Sequence, residues 1–350
     1  MNKRQSILTI VGVVLLVLLT RQLATRCDGN DRPPYQRLEG FTFHTVYHIT
    51  YRGTDDWHDS IRVLFGEIDS SLSMFNPESV IARMNAGDTS ARADGHFRRV
   101  FATAQVVSQR TGGAFDMTVA PLVNLWGFGF KNRGSVTDAA VDSLLRYVGW
   151  QGVRLTDDGR LVRQHDETIL DASSIAKGYA CDVVARFLEG HGCTDYMVEI
   201  GGEIALRGVN PQGKPWSVGI HKPTLDPSGE AQSAQLEGVL HLSHGGVATS
   251  GNYRNFYVEG GRRYAHTIDP ATGRPVQQDI LSATVIAPDC MTADAYATAF
   301  MVMGSQKALA VLEADTTLMA YFIVAADSAK AESDSLRIIY SPALADALKK

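Results

Sequence analysis

The 350-residue sequence has only four cysteines, and no two of them stand in a CxxC pair. Cys27 lies just after an N-terminal apolar run, which leaves Cys181, Cys193 and Cys290 in the body of the chain. An odd number without paired spacing argues against a disulfide framework or a zinc site. Basic blocks are missing beyond the first residues, and the net charge is −5. Non-specific nucleic-acid binding depends on neutralising phosphates, so no nucleic-acid partner is expected. A GxGxxG turn after a strand is also lacking. The stretch Pro121 to Gly129, PLVNLWGFG, is aromatic and glycine-rich without that spacing, so a Rossmann dinucleotide site is not indicated. No internal repeat and no linker follow residue 40.

Long apolar runs are scarce too. The longest, Ile7 to Leu19, has thirteen residues, follows Lys3 and Arg4, and precedes Arg21. Spanning a bilayer takes about 20 residues, so this run reads as an export signal or a short N-terminal anchor. Cys27 adds a lipoprotein reading, although Arg26 stands where a small residue should precede a lipidated cysteine. The expectation is an exported chain, tethered to a membrane and facing the periplasm or the cell exterior. Residues 28–40 are polar, contain Pro33-Pro34 and read as a tether, leaving 41–350 as one domain.

That remainder, in a chain that is 45% hydrophobic and 20% charged, has the composition and length of an ordinary globular protein with a real core. Alternation from Phe41 to Tyr51 predicts a strand. Ile61, Leu64, Phe65, Ile68 and Leu72 mark a helix, and a second follows Asp94 and ends at Thr111-Gly112-Gly113. Thr137 opens a short helix, and Asp157-Asp158-Gly159 signals a hairpin. Strands are expected at Tyr196 to Leu206, Trp216 to Ile220, Val239 to Leu242, Arg263 to Ile268, Ser282 to Ala287, Leu318 to Val324 and Leu336 to Tyr340. A polar loop is expected over 224–235, and a helix over Thr292 to Met303. Strands come in runs broken by helices, which favours an α+β domain over a doubly wound sheet.

Four stretches carry candidate chemistry. In DASSIAKGYACD, residues 171–182, apolar pairs recur every four positions and predict a helix that Ser173 or Ser174 would cap. Lys177 then falls in the first turn, where the helix dipole disfavours a cation by roughly 0.3–1 kcal/mol. Either it is a solvated surface lysine, or an anion such as a ligand phosphate sits beside it. In TGGAFD, two glycines allow close backbone approach to a ligand, Phe115 offers a ring face, and Asp116 follows at once. A plain helix stop explains these glycines equally well.

The third stretch pairs VATSGNY with YAHTIDP, placing His266 on a strand before the tight turn at Asp269-Pro270. A lone histidine is more often structural than catalytic, but hydroxyls and a carboxylate nearby make it a candidate proton acceptor. The fourth, ADAYAT, puts Asp294 and Thr298 four apart on one helix face, offering two oxygen ligands to a hard cation such as Mg²⁺. An aspartate at a helix start is commonly just a favourable dipole contact.

TGGAFDMTVAPLVNLWGFG, LDASSIAKGYACD, VEIGGEIALRG, VATSGNYRNF, YAHTIDPATGRPV and MTADAYATAF, in this order, resemble the ApbE family of FAD:protein FMN transferases. The resemblance implies a T-fold-like α+β domain of mostly antiparallel sheet with packed helices. It implies that FAD is the substrate, Mg²⁺ the cofactor and AMP the leaving product, with FMN passing to a Thr or Ser of a target flavoprotein such as a membrane redox-pump subunit. Carried over residue by residue, it makes Ala114, Phe115, Asp116, Asp171, Lys177 and Ile268 FAD contacts, places Phe75 against the flavin, and makes Ser174, Asp294 and Thr298 metal ligands. The chain departs from the family where Phe43-His44-Thr45 replaces the usual Met-Gly-Thr.

Three other functions fit parts of the pattern. Water in place of the acceptor would give an FAD pyrophosphatase releasing FMN and AMP. Ser174-Ile175-Ala176-Lys177 and Ser250-Gly251-Asn252 match SxxK and SxN of penicillin-binding acyl-transferases, but the Lys-Thr-Gly element is missing. A non-catalytic exported flavin carrier is the third.

Overall fold

The computed structural model describes residues 32–129, 135–223, 236–252, 256–259, 262–325 and 336–348. The expected export segment with Cys27 and the expected loop over 224–235 lie outside the described residues. The chain divides into Met1–Pro34 and Tyr35–Lys350, and the second unit carries the fold.

Tyr35–Thr42 forms β1 and Thr45–Arg52 forms β2, so residues 35–40 of the expected tether are strand instead. Among the described residues β1 is an end strand with one unpaired edge, and Arg37 and Glu39 are exposed on it. A polar edge strand of this kind reads as tether in a sequence. The single strand expected from Phe41 to Tyr51 is broken at Phe43 and His44, whose φ values of 47° and 60° close a two-residue hairpin with Thr42 opposite Thr45. A two-residue turn preserves the period of two, which is why the alternation runs straight through it.

Six more strands complete the sheet: β3 (Tyr196–Ile200), β4 (Glu203–Arg207), β5 (His244–Gly251), β6 (Ile280–Ala287), β7 (Met319–Ala325) and β8 (Leu336–Tyr340). Their order is simply β1 to β8, and every neighbouring pair is antiparallel. The expected strand from Tyr196 to Leu206 is the β3–β4 hairpin, because Gly201 and Gly202, with φ of 64° and 105°, reverse the chain.

The helices are inserted between strands. Between β2 and β3 come α1 (His58–Leu72), α2 (Val80–Asn85), α3 (Gly95–Arg110), α4 (Ala120–Leu125), α5 (Asp138–Leu145) and α6 (Ala176–Gly190). α7 (Cys290–Met303) and α8 (Ser305–Ala314) join β6 to β7, and α9 (Pro342–Ala347) follows β8. Asp94 and Thr137 cap α3 and α5 with their side chains, as their sequence positions predict. α2, α4 and α9, six residues each, are too short to show a helical period, and the sequence reading missed them as well as α8.

Alternation along the central strands serves two faces. Ala205, Ala248, Val285 and Phe322 face the main core with α6 and α7, while Leu206, Val247, Ile286, Tyr321 and Ile323 face a second cluster. That second face is covered by the hairpin of Trp216–His221 with Leu236–Leu242 and by Leu344 of α9. The result is an α+β domain built on one large antiparallel sheet with packed helices.

Candidate functional site

α6 and α7 meet at their N-terminal ends because glycine allows it. A Cβ on Gly178 would lie 2.4 Å from the Cys290 carbonyl oxygen and 2.8 Å from the Asp294 Cβ. Without one, the Gly178 N–H donates to Asp294 Oδ2 at 3.0 Å. Asp182, one turn further along α6, accepts the N–H groups of Cys290 and Met291, both at 2.8 Å, so α6 caps α7 from the side. Burial and the neighbouring Asp289 push the Asp182 carboxyl up to about 7.

No serine caps α6, contrary to the sequence expectation. The cap position is Ile175, and the Ser173 N–H and hydroxyl both donate to Asp171 Oδ1, at 2.8 and 2.5 Å. An aspartate two residues upstream competes for the serine in an Asx-type turn. Lys177, whose position called for an anion, has one within the protein: its Nζ lies 2.5 Å from Glu203 Oε1. Burial opposes the charge on Lys177, but the carboxylates of Glu203 and Asp294 outweigh it and hold the pKa above the ordinary lysine value. Burial also raises both carboxyls, against the pull of Lys177. Two buried carboxyls thus face one ammonium, and burial favours the neutral form of each unless a cation lies beside it.

Of the expected metal donors, Asp294 and Thr298 lie one turn apart on α7, and Ser174 lies two residues before the start of α6. Asp294 is buried, Thr298 and Ser174 are half-buried, and the Thr298 hydroxyl is 3.3 Å from that of Ser250 at the end of β5. Carboxylate and hydroxyl oxygens suit a hard cation such as Mg²⁺, which keeps several waters and needs few protein ligands. Among the described residues no group of three or more His, Cys, Asp or Glu side chains forms a metal cage. The chain's own donors fit Mg²⁺ only as part of a shell shared with water or substrate.

Backbone and amide contacts tie several of the remaining candidates to neighbouring segments. The Asp171 N–H donates to the Met117 carbonyl at 2.7 Å, joining the Asp171 turn to the TGGAFD loop. Asp116 accepts from the Thr118 N–H and hydroxyl at 2.8 and 2.7 Å and from the Trp150 N–H at 2.9 Å. Burial raises the Asp116 carboxyl, partly offset by these three donors. Asp171 is likewise raised by burial, against the two donors from Ser173. Ala114 is half-buried, but the Phe115 ring is 1% exposed, so it packs in the core and offers no face to a ligand. The ring supports the loop from behind, and only the backbone there remains available for contact.

Phe75 is exposed, with its ring 5.1 Å from that of His44 in the β1–β2 turn. Its neighbour Met74 contacts Asn85, whose side chain bonds both the carbonyl and the N–H of Leu170, at 2.8 and 2.9 Å, next to Asp171. On the other side, Asn252, just past Ser250, accepts from the Thr267 hydroxyl at 2.8 Å. Thr267 stands between His266, half-buried beside Phe128, and Ile268, which is buried with Leu122 and Trp126. Sequence reasoning missed Asn85 and Glu203 as individual residues. Nothing in its local pattern marks Asn85, whereas Glu203 directly follows the Gly201-Gly202 turn.

The ApbE family model matches residues 43–322. The chain belongs to the ApbE family. It is 38% identical over 303 residues to the FAD:protein FMN transferase of Vibrio cholerae, covering 82% of this chain and 87% of that protein. Over 307 residues it is 37% identical to the protein of the same name from Haemophilus influenzae, with 83% and 87% covered. Its structure superposes on the flavin transferase ApbE from Vibrio cholerae with a TM-score of 0.79 at 35% identity, covering 89% of this chain and 98% of that one. The apo form of the Pseudomonas stutzeri flavinyl transferase ApbE gives a TM-score of 0.78 at 31% identity, covering 91% and 98%. The six sequence phrases, which run from Thr111 to Phe300, all lie within the span of this match.

Proposed function

We propose that this chain transfers the FMN moiety of FAD to a Thr or Ser hydroxyl of a target flavoprotein and releases AMP, in a reaction that depends on Mg²⁺. The observation that supports it most is the buried cluster of Lys177, Glu203 and Asp294 at the joined N-termini of α6 and α7, inside the span matching a family of flavin transferases. Lys177 and the adjoining helix end bind the pyrophosphate, and the backbone at Ala114 to Asp116, together with Asp171 and Ile268, lines the FAD site. Phe75 provides an exposed ring for the flavin. Asp294, Thr298 and Ser174 would hold Mg²⁺, which when bound supplies Lewis-acid polarisation of the phosphate oxygens.

His266 takes the proton from the acceptor hydroxyl. The acceptor oxygen then bonds to the FMN-side phosphorus, the bond from that phosphorus to the bridging oxygen breaks, and AMP departs with that oxygen. Orientation and charge complementarity dominate such a transfer, so a rigid cluster of few side chains suffices. The reading includes an exported chain, membrane-tethered through its first 27 residues and facing the periplasm or cell exterior, which the Lys3-Arg4 and Ile7 to Leu19 pattern supports. Its acceptor is a flavoprotein such as a membrane redox-pump subunit.

The test incubates residues 28–350 with FAD, Mg²⁺ and an acceptor domain, and records the acceptor's intact mass. A gain of one FMN, lost with EDTA and with Asp294→Ala, is expected. Full Mg²⁺-dependent transfer by Asp294→Ala would refute the metal assignment. Free FMN and AMP with an unmodified acceptor would instead identify a hydrolase, and intact FAD a carrier.

A further inference from the structure

We propose that Glu203 positions Lys177 for the diphosphate of FAD, an inference that rests on the reading of Lys177 as an FAD contact. Glu203 is 5% exposed and begins β4 immediately after the Gly201-Gly202 turn, so the hairpin fixes where its side chain enters the protein. Its backbone is anchored to α6 as well, because the Cys181 thiol donates to the Glu203 carbonyl at 3.2 Å. Lys177 and Cys181 are four apart and so share one face of α6. That face is held against Glu203 at two points, by the Cys181 contact to its backbone and the 2.5 Å Lys177 contact to its side chain.

The ammonium has three donors and Glu203 Oε1 engages it from the buried side. The Lys177 side chain keeps 31% of its surface exposed against 6% for Glu203, so the pair is reached from the lysine's side. A lysine paired in this way is held near one position, instead of sampling the many rotamers of a free lysine. Among the described residues, the buried Glu203 Oε2 has no hydrogen-bond partner. A structural ion pair gains most when both carboxylate oxygens are satisfied. This carboxylate leaves one oxygen unsatisfied while holding the lysine, as fits a group retained to aim that lysine.

FAD affinity is measured by fluorescence titration for the wild type, Lys177→Met, Glu203→Gln and the double variant, with Tm recorded for each, and kcat and KM for FAD follow from the transfer assay. Losing the aim of a charged group costs on the order of 10- to 100-fold. Glu203→Gln is expected to weaken FAD by about that factor, as Lys177→Met does, with the double variant no weaker than the worse single one. KM for FAD should rise more than kcat falls. Independent losses that multiply in the double variant, or unchanged FAD affinity in Glu203→Gln beside a weakened Lys177→Met, would overturn the role of Glu203 and leave the Lys177 reading intact. Unchanged FAD affinity in Lys177→Met would overturn that reading and this inference with it. If Glu203→Gln fails to fold, Glu203→Asp keeps the charge one methylene short and reads the same coupling with Lys177→Met.

Discussion

Gly178→Ala sets two effects of opposite sign against each other at the centre of the site. Replacing glycine inside a helix ordinarily adds up to about 1 kcal/mol of stability, because alanine loses less backbone freedom on folding. At Gly178 the new methyl would meet the Cys290 carbonyl oxygen at 2.4 Å and the Asp294 Cβ at 2.8 Å. Both obstacles belong to α7, so relief requires α6 and α7 to separate. Overpacking of this kind costs about 1–3 kcal/mol. Separation would also stretch the 3.0 Å bond from the Gly178 N–H to Asp294, and losing a bond to a charged acceptor costs about 1.5–3 kcal/mol. The penalties exceed the propensity gain, for a net loss of about 2–4 kcal/mol. A domain of this size loses roughly 0.6 kcal/mol per kelvin near its midpoint, so Tm should fall by about 3–6 °C. Calorimetry on the wild type and the variant reads this directly, and FMN transfer should fall with it because Asp294 is displaced. An unchanged or higher Tm with normal transfer would refute the close packing of α6 on α7.

Three further predictions follow from single contacts. The Asp182 pKa of about 7 lies above its unfolded value, so its contribution to stability is fully present in acid and is lost as pH rises through about 7. Tm of the metal-free protein should therefore decline between pH 4 and 8, and Asp182→Asn should flatten that decline. His44→Gly should raise stability by about 1 kcal/mol in a denaturant titration, because glycine adopts the φ of 60° without steric cost, while removing the ring that packs on Phe75. Asn85→Ala leaves the N–H and carbonyl of buried Leu170 unpaired and should cost about 1–3 kcal/mol, with weaker FAD binding because the Asp171 turn loosens.

Helix and strand periods and the caps at Asp94 and Thr137 were legible in the sequence, because each depends on residues within one or two turns of one another. The family phrases carried the recognition of the ApbE family, since their order along the chain persists without knowledge of the fold. Where local rules failed, a distant contact had overridden them. Ser173 reads as a helix cap until Asp171 takes its hydroxyl, and Phe115 reads as a ligand platform until the core closes over its ring. The strand through Phe43-His44 reads as continuous because a two-residue turn preserves alternation. Lys177 shows most plainly what sequence determines and what tertiary structure decides. Its place in the first turn of α6 left either a solvated lysine or one with an anion beside it, and that choice rested on local rules. Which of the two holds depends on Glu203, brought beside it from the β3–β4 hairpin, and on Asp294, brought from α7 by a glycine too small to keep the helices apart.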